Sequence, residues 1–175
     1  MAAELDELDR HIIELLLKDG RTPAAQIAEQ IGLSRPAVAD RLDKLERQGV
    51  VRGTTAVVEP AALGRTITAF VSARGSSLSA AAWRKFRELM QRDEILEVHT
   101  VAGEDCYLMK VRTESIGALN TLVQQLTTAP MSLATRTTIV TETHCEKVGG
   151  IDLGTSGGAE PLPEPRPERR LEVSK

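Results

Sequence analysis

The sequence predicts a mixed α/β (α+β) protein with two folded domains, and three observations support this fold class. Apolar residues recur at helical spacing in three short segments near the N-terminus. The middle of the chain alternates β-branched and amphipathic segments in the order β-α-β-β-α-β, which is typical of a ferredoxin-like βαββαβ domain. From residue 149 the chain is rich in glycine and proline. We therefore expect domains at residues 1–60 and 61–148, followed by a disordered tail at 149–175.

Composition and charge exclude several classes of protein. The 175 residues include 22 Lys and Arg against 25 Asp and Glu, so DNA binding would require a local basic face rather than overall charge. Aromatic residues make up only 2%, too few for a platform that stacks single-stranded bases. The two cysteines do not provide a disulfide framework. The sequence shows no signal peptide and no long apolar run, so we expect a cytoplasmic protein without membrane contact.

Each of three N-terminal segments has an apolar stripe at helical spacing, followed by a glycine that ends the helix. The stripes are Leu5, Leu8, Ile12, Leu15 and Leu16 in the first segment, Ala24, Ile27, Ala28 and Ile31 in the second, and Val38, Leu42 and Leu45 in the third. Ser34 is placed to cap the third helix, with Pro36 in its first turn. Residues 50–58 are rich in valine around a glycine, which predicts two short strands that form a hairpin.

The second domain is predicted from four β-rich segments and two amphipathic ones. The strands are expected at residues 66–74, 95–102, 106–113 and 135–143, and the helices at 79–92 and 115–127. The residues expected to face the core are Trp83, Phe86, Leu89 and Met90 in one helix and Ile116, Leu119, Leu122, Val123 and Leu126 in the other. Both helices lie on one face of such a sheet. The strands carry more apolar residues than that face can bury, so we expect another subunit to cover the opposite face.

The second and third helices have the spacing of a helix-turn-helix. Ala28 is small where the helices would cross, Gly32 permits a tight turn, and Val38 is placed to pack back between the helices. Two helices that meet at about 90–120° over a short turn have these steric needs. An ordinary helical hairpin in a small bundle would also fit this spacing.

Local charge favours DNA binding over the plain hairpin. Residues 1–20 carry a net charge of -4, whereas residues 34–53 carry five basic and three acidic side chains. A recognition helix reads base edges with its N-terminal residues, while flanking donors bind phosphates. The expected groove residues are Ser34, Arg35, Ala37 and Asp40, and the expected phosphate contacts are Thr22, Lys44 and Arg52. Arg41 either contacts double-stranded DNA or pairs with an acidic neighbour and orients the helix.

The N-terminal domain resembles that of the Lrp/AsnC family of transcriptional regulators in the runs LDELDRHIIELLLKDGR, AAQIAEQIGLSRPAVADRLDKLERQGVV and AALG. The second domain resembles that family's effector-binding and oligomerisation domain in VHTVAGEDCYLMKV and TRTTIV. The resemblance covers residues 5–148. It implies a winged helix-turn-helix regulator that forms homodimers, often assembled into octamers. It also implies an amino acid effector bound between the C-terminal domains of neighbouring subunits.

The resemblance also implies a set of effector-binding residues. In the family, the turn after the second strand of this domain has a Gly-acidic-x-Asp pattern, and here Cys106 stands where the final Asp is common. Either Asp105 or Glu104 would then bind the ammonium group in its place, or the site takes a different effector or none. A Thr-x-Thr pair on the last strand offers hydroxyls to a carboxylate, although threonines also suit a plain strand. The expected effector residues are Gly103, Glu104, Asp105, Thr135 and Thr137.

Two other functions are compatible with parts of this sequence. Some sirohaem decarboxylases resemble the family in both domains and would use His and Arg beside a tetrapyrrole, but His99 alone is a weak acid–base signal. A Cys/His redox or metal sensor would need Cys106, Cys145, His99 and His144. Adjacent residues such as His144 and Cys145 point to opposite faces of a strand. We therefore expect no catalytic residue, no metal site and no cofactor.

Overall fold

The computed structural model describes residues 4–75 and 78–146, which form two compact units. The N-terminal unit contains the described residues up to Val57, and the C-terminal unit spans Val58–Thr143. No helix in either described range is long and apolar enough to span a membrane. The expected tail at 149–175 lies outside the described residues.

The N-terminal unit contains the three predicted helices. They are α1 (Glu7–Lys18), α2 (Ala24–Ile31) and α3 (Arg35–Arg47). Their apolar stripes meet in one core, whose fully buried members are Ile12, Ile27, Ala28, Val38 and Leu45. Gly32 ends α2 with a φ of 71°, a left-handed conformation that glycine adopts without strain. Ser34 caps α3, because its Oγ accepts the Ala37 N–H at 3.3 Å.

The hairpin predicted over residues 50–58 is wrong, because the structure has no strand in this range. The backbone N–H groups of Val50 and Val51 instead donate to the Leu45 carbonyl at 2.9 and 3.2 Å, and both side chains pack against the helical core. The next residues lead out of the unit, and Val57 is 76% exposed. An isolated two-stranded ribbon is at best marginally stable in water, since it has no further strand or helix to pack against.

The C-terminal unit shows the predicted order β-α-β-β-α-β. After a 3₁₀ turn at Pro60–Leu63, its elements are β1 (Ile67–Arg74), α4 (Ala80–Met90), β2 (Ile95–Thr100), β3 (Tyr107–Thr113), α5 (Ile116–Thr127) and β4 (Ala134–Ile139). The sheet order is β2-β3-β1-β4, with each neighbouring pair antiparallel. Alternate residues of the central strands, such as Val71 and Met109, share one core with Phe86 of α4 and Leu122 of α5. Both helices therefore cover the same face of the sheet.

Three details of the second domain differ from the sequence prediction. The last strand ends at Ile139 rather than at residue 143, because its partner strand β1 begins at Ile67. The Val140 N–H still bonds to the Thr68 carbonyl, but only one residue of β1 precedes Thr68. Trp83 was expected in the core but is exposed, and its ring contacts Phe86 and Tyr107 at the core margin. Ile116 is exposed as well, since it is the first residue of α5 and no preceding turn covers it.

The opposite face of the sheet has no helix of its own. Val98 and Val111 lie on the helix-covered face, whereas Phe70 and Leu108 lie on the open one according to the strand register. Phe70 in the central strand is 38% exposed. The apolar residues of the strands thus divide between two faces, as the sequence predicts.

Candidate DNA interface and effector site

The start of α3 presents several of the predicted groove residues on the surface. Ser34, Arg35 and Asp40 are exposed, and Ala37 is partly exposed. Arg35 has no ion-pair partner within the described residues, so its guanidinium is available to a ligand. The oxygen of Ser34 serves the helix as its cap. This turn of α3 is therefore held rigidly while its long cationic side chain remains available.

The three predicted phosphate contacts have different local environments. The Thr22 hydroxyl donates to the Asp19 carbonyl at 2.7 Å, so its single proton is already in use. Arg52 is exposed in the segment after α3. Lys44 lies on α3, but its ammonium contacts α1, as described below.

Two aspartates at the start of α1 form a reciprocal cap. The Asp9 N–H donates to Asp6 Oδ1 at 2.7 Å, and the Asp6 N–H reaches Asp9 Oδ2 at 3.4 Å. Each carboxylate thus satisfies a backbone donor that the first turn of the helix leaves open. Their negative charge also suits the positive end of the helix dipole.

The same two carboxylates bind cations of α3. Arg41 Nη1 lies 2.6 Å from Asp6 Oδ2 and 2.6 Å from Asp9 Oδ1, while Lys44 Nζ lies 3.1 Å from Asp9 Oδ2. The side chain of Asp9 is 0% exposed. Of the two alternatives for Arg41, the structure therefore shows pairing with acidic neighbours. We call Asp6, Asp9, Arg41 and Lys44 the α1–α3 charge cluster.

Electrostatics keep this cluster ionised. Burial raises the pKa of Asp9, but hydrogen bonds from Arg41 and Lys44 outweigh burial and leave that pKa below its ordinary value. The Asp9 backbone N–H, followed by Arg41, lowers the pKa of Asp6. Hydrogen bonds to both aspartates raise the pKa of Arg41. Both carboxylates are thus charged at neutral pH.

Sequence reasoning did not find the two aspartates. Asp6, the N-cap of α1, precedes Asp9 by three residues, and Arg41 and Lys44 are three apart on α3. This spacing puts each pair on one helix face, so matched charge pairs were the available signal. Which helix faces meet is decided by tertiary packing.

The predicted effector turn meets the start of β4 at one end of β1. The Cys106 N–H donates to the Ala73 carbonyl at 2.9 Å, and Ala73 is paired with Thr135. Across this end, Asp105 Oδ2 lies 3.0 Å from Arg136 Nη2. Arg136 was not predicted, and its position between two threonines on the last strand was the available signal.

The predicted effector residues do not all share one face of the sheet. Thr135 and Thr137 are paired with the buried residues Ala73 and Val71, which places them on the helix-covered face. Arg136 lies on the opposite face and binds Asp105. Gly103 has a φ of 144°, and Glu104 beside it is exposed. The structure therefore joins Asp105 to Arg136 rather than to the two threonines.

The residues of the alternative functions are dispersed. His99 Nε2 lies 3.2 Å from Glu97 Oε2 on β2, which is a local surface contact. Cys106 and Cys145 are free thiols. Across residues 4–75 and 78–146, no group of three or more His, Cys, Asp or Glu side chains is placed to hold a metal ion.

Comparisons with known proteins agree with both units. Residues 5–52 match the winged helix-turn-helix DNA-binding family, and residues 68–149 match the Lrp/AsnC ligand binding domain. Over 146 residues the chain is 35% identical to the HTH-type transcriptional regulator FL11 of Pyrococcus abyssi, covering 83% of this chain and 95% of that protein. It is 33% identical over 141 residues to the leucine-responsive regulatory protein of Escherichia coli, covering 79% and 86%.

A solved structure of AsnC from Escherichia coli has the same fold. It superposes with a TM-score of 0.73 at 28% identity and covers 83% of this chain and 98% of that one. These similar proteins are transcriptional regulators, not enzymes. With both of its units matched and more than four-fifths of its length aligned to FL11, this chain is a DNA-binding transcriptional regulator of the Lrp/AsnC family.

Proposed function

We propose that this regulator acts in the cytoplasm as a homodimer or an octamer and reads double-stranded DNA with the first turns of α3. An amino acid bound at the Asp105–Arg136 end of the sheet modulates that binding. The observation that carries the DNA interface is the exposed Arg35 at the start of a capped helix, which has no ion-pair partner among the described residues. Sequence specificity resides in this turn because base edges distinguish sequences and phosphates do not.

The DNA interface combines base and phosphate contacts. Arg35 suits the two acceptors of a guanine, and Asp40 suits the exocyclic amine of a cytosine. Ser34 and Ala37 lie on the same turns and approach the groove with them. Arg52 contacts a flanking phosphate, and Thr22 does so when its hydroxyl turns away from the Asp19 carbonyl. Lys44 contacts a phosphate only when its ammonium leaves Asp9.

Assembly follows from the open face of the sheet. Phe70 and Leu108 lie there among polar residues, and a second copy would remove both from water. A two-fold pair presents two recognition helices, so the operator is a near-palindrome with half-sites about one helical turn, roughly 34–36 Å, apart or a multiple of it. Pairs of such dimers then build the octamer.

The effector is a zwitterion because the site offers one charge of each sign. The guanidinium of Arg136 suits an α-carboxylate, and the carboxylate of Asp105 suits an α-ammonium. Their mutual ion pair lies at the surface, where such a pair contributes only about 0–1 kcal/mol, so a ligand can replace it at little cost. The Escherichia coli relative is a leucine-responsive regulatory protein, which supports an amino acid as the ligand. The other proposed ligand contacts are Gly103, Glu104, Thr135 and Thr137.

One experiment tests the DNA and effector proposals in sequence. Genome-wide mapping of bound DNA in the source cell supplies operator fragments, and fluorescence anisotropy then measures affinity for one fragment with each amino acid present. We expect enriched near-palindromes and at least one amino acid that shifts the affinity. A chain that enriches no site contradicts the DNA proposal. Affinity that no amino acid changes contradicts the effector proposal alone.

A further inference from the structure

Two cations of the recognition helix are already bound within the protein. In the α1–α3 charge cluster, Asp6 and Asp9 provide two negative charges, and Arg41 and Lys44 provide two positive ones. The cluster is therefore neutral as a whole. DNA approaching α3 meets these cations with their counter-charges in place.

This pairing removes the basic surplus of the segment that contains α3. Residues 34–53 carry five basic side chains, of which Arg41 and Lys44 belong to the cluster. The other three are Arg35, Arg47 and Arg52, and the acidic side chains of the same segment are Asp40, Asp43 and Glu46. With the cluster intact, the remaining side chains of this segment carry three positive and three negative charges, so their net charge is zero. The whole surplus of +2 lies in the two cations that the α1 carboxylates hold.

The two cations are not held equally. Arg41 binds both carboxylates through one nitrogen at 2.6 Å, whereas Lys44 has a single carboxylate partner at the longer distance of 3.1 Å. The side chain of Lys44 is 41% exposed, so its flexible stem can turn outward. Asp9 is fully buried and fixed by its hydrogen bonds, so it cannot follow.

We propose that Asp9 competes with DNA phosphates for the ammonium of Lys44 and thereby limits the affinity of the regulator for DNA. Asp9 is a positioning residue, because it acts through Lys44 and does not touch DNA itself. This inference rests on the proposed placement of α3 against DNA. Affinity for non-specific DNA derives almost entirely from phosphate contacts. Withholding one phosphate contact per subunit therefore lowers the affinity for non-specific DNA more than the affinity for an operator.

The test is a double-mutant cycle read out by DNA binding. Fluorescence anisotropy measures the affinity of the full chain for a random-sequence duplex over a series of salt concentrations. The proteins are wild type, Asp9→Asn, Lys44→Gln and the double variant. Asparagine keeps the side-chain oxygen that accepts from Arg41 but removes the charge that attracts Lys44. Asp43→Asn is the matched control, because it removes an exposed carboxylate from α3 itself.

We expect Asp9→Asn to tighten binding and to steepen the salt dependence, since Lys44 becomes free to bind a phosphate. Lys44→Gln should then weaken the Asp9→Asn protein about fivefold more than it weakens wild type. The Asp43→Asn control should tighten binding through net charge alone, and Lys44→Gln should have the same effect with or without it. An equal effect of Lys44→Gln in the wild-type and Asp9→Asn backgrounds overturns the proposal.

Two further measurements cover the case in which Asp9→Asn does not fold and the case in which the proposed DNA interface is wrong. If Asp9→Asn does not fold, the salt dependence of DNA binding by wild type and Lys44→Gln tests the proposal by itself. The proposal expects their logarithmic salt slopes to differ by clearly less than the ~0.9 per subunit of a full phosphate contact, and a full difference overturns it. Arg52→Ala is measured in the same titrations. If Arg52→Ala and Arg35→Ala both bind as wild type does, the proposed DNA interface fails, whatever the result of the cycle.

Discussion

Asp105 and Arg136 form an ion pair of 3.0 Å that joins the turn before β3 to the edge strand β4 across the end of β1. The two residues are 31 positions apart in the sequence, and the strand order alone brings them together. A ligand that takes Asp105 Oδ2 and Arg136 Nη2 as its own partners competes with this pair. Effector binding is therefore expected to loosen β4 from the turn that precedes β3.

Substitution at this pair should weaken effector binding without unfolding the protein. Asp105→Asn and Arg136→Gln should each weaken the amino acid that binds wild type by about tenfold or more, since a charge-assisted hydrogen bond contributes roughly 1.5–3 kcal/mol. Isothermal titration measures the affinities. Arg84→Gln removes an exposed cation from α4 and should leave binding as in wild type. Unchanged affinity in both site variants would exclude this ion pair from the effector site.

Arg35 should determine sequence recognition. Arg35→Ala should lower affinity for an operator by about 1–3 kcal/mol and affinity for random DNA much less, because a bidentate base contact discriminates between sequences. Gel shifts with operator and scrambled duplexes measure both affinities. Arg47→Ala, at the exposed C-terminal end of α3, is the control and should lower the two affinities equally. Full operator affinity in a folded Arg35→Ala protein would remove Arg35 from the base-reading set.

The N-terminal unit should lose stability in acid. Asp6 and Asp9 have pKa values below the ordinary value in the folded chain, so their contribution is complete above the unfolded pKa of about 3.9. That contribution is lost as the pH falls through the lowered folded values. Far-UV circular dichroism should show an acid transition that is weaker in Asp9→Asn than in Asp43→Asn. The fluorescence of Trp83, the single tryptophan, reports the C-terminal unit separately. Identical acid transitions in the two variants would contradict this role of Asp9.

Gly32 should be required for its backbone conformation alone. A Cβ built on Gly32 meets no atom within 4 Å, so Gly32→Ala creates no clash. Its φ of 71° nevertheless places a non-glycine residue in the left-handed region, at a cost of roughly 1–2 kcal/mol. Urea denaturation should show that loss of stability. Gly32→Asn should recover part of it, because asparagine tolerates this conformation better, and equal losses in the two variants would point to another cause.

The open face of the sheet should be the site of self-association. Phe70→Glu should convert the assembly to smaller species, because it places a charge where an apolar side chain would be buried between subunits. Light scattering measures the mass. Ile116→Glu alters an exposed isoleucine on α5, on the helix-covered side, and should leave the mass unchanged. A wild-type monomer at micromolar concentration would refute the dimer itself.

The sequence was sufficient to predict each α-helix of the described residues and each strand of the C-terminal sheet, because local spacing encodes them. The stripe through Leu119, Leu122 and Leu126 needs only helical periodicity, and all three side chains are buried. The hairpin at residues 50–58 was predicted from valine content, but strands require a partner that this segment lacks in the described structure. The β-propensity of these residues indicated an extended conformation, but it does not identify a partner strand.

The candidate sites were predictable only in part, since side-chain partners depend on tertiary packing. Arg35 could be nominated because its place at the start of α3 is a local property. Lys44 was nominated from the same helix, yet its ammonium pairs with Asp9, 35 residues earlier. Arg136 was overlooked because its proximity to Asp105 follows from the strand order.

The strand order also determines which strands of this chain could pair with other copies and cause open-ended aggregation. It leaves β2 and β4 as the two edges of the sheet, where unpaired backbone groups could recruit strands from other molecules. β2 has an irregular register between Ile95 and Glu97, and β4 is only six residues long and carries the charged Arg136. Short, charged or irregular edges discourage lateral pairing. If the proposed dimer forms through the open face of the sheet, its two-fold contact closes on itself, and indefinite fibres are disfavoured even at high protein concentration.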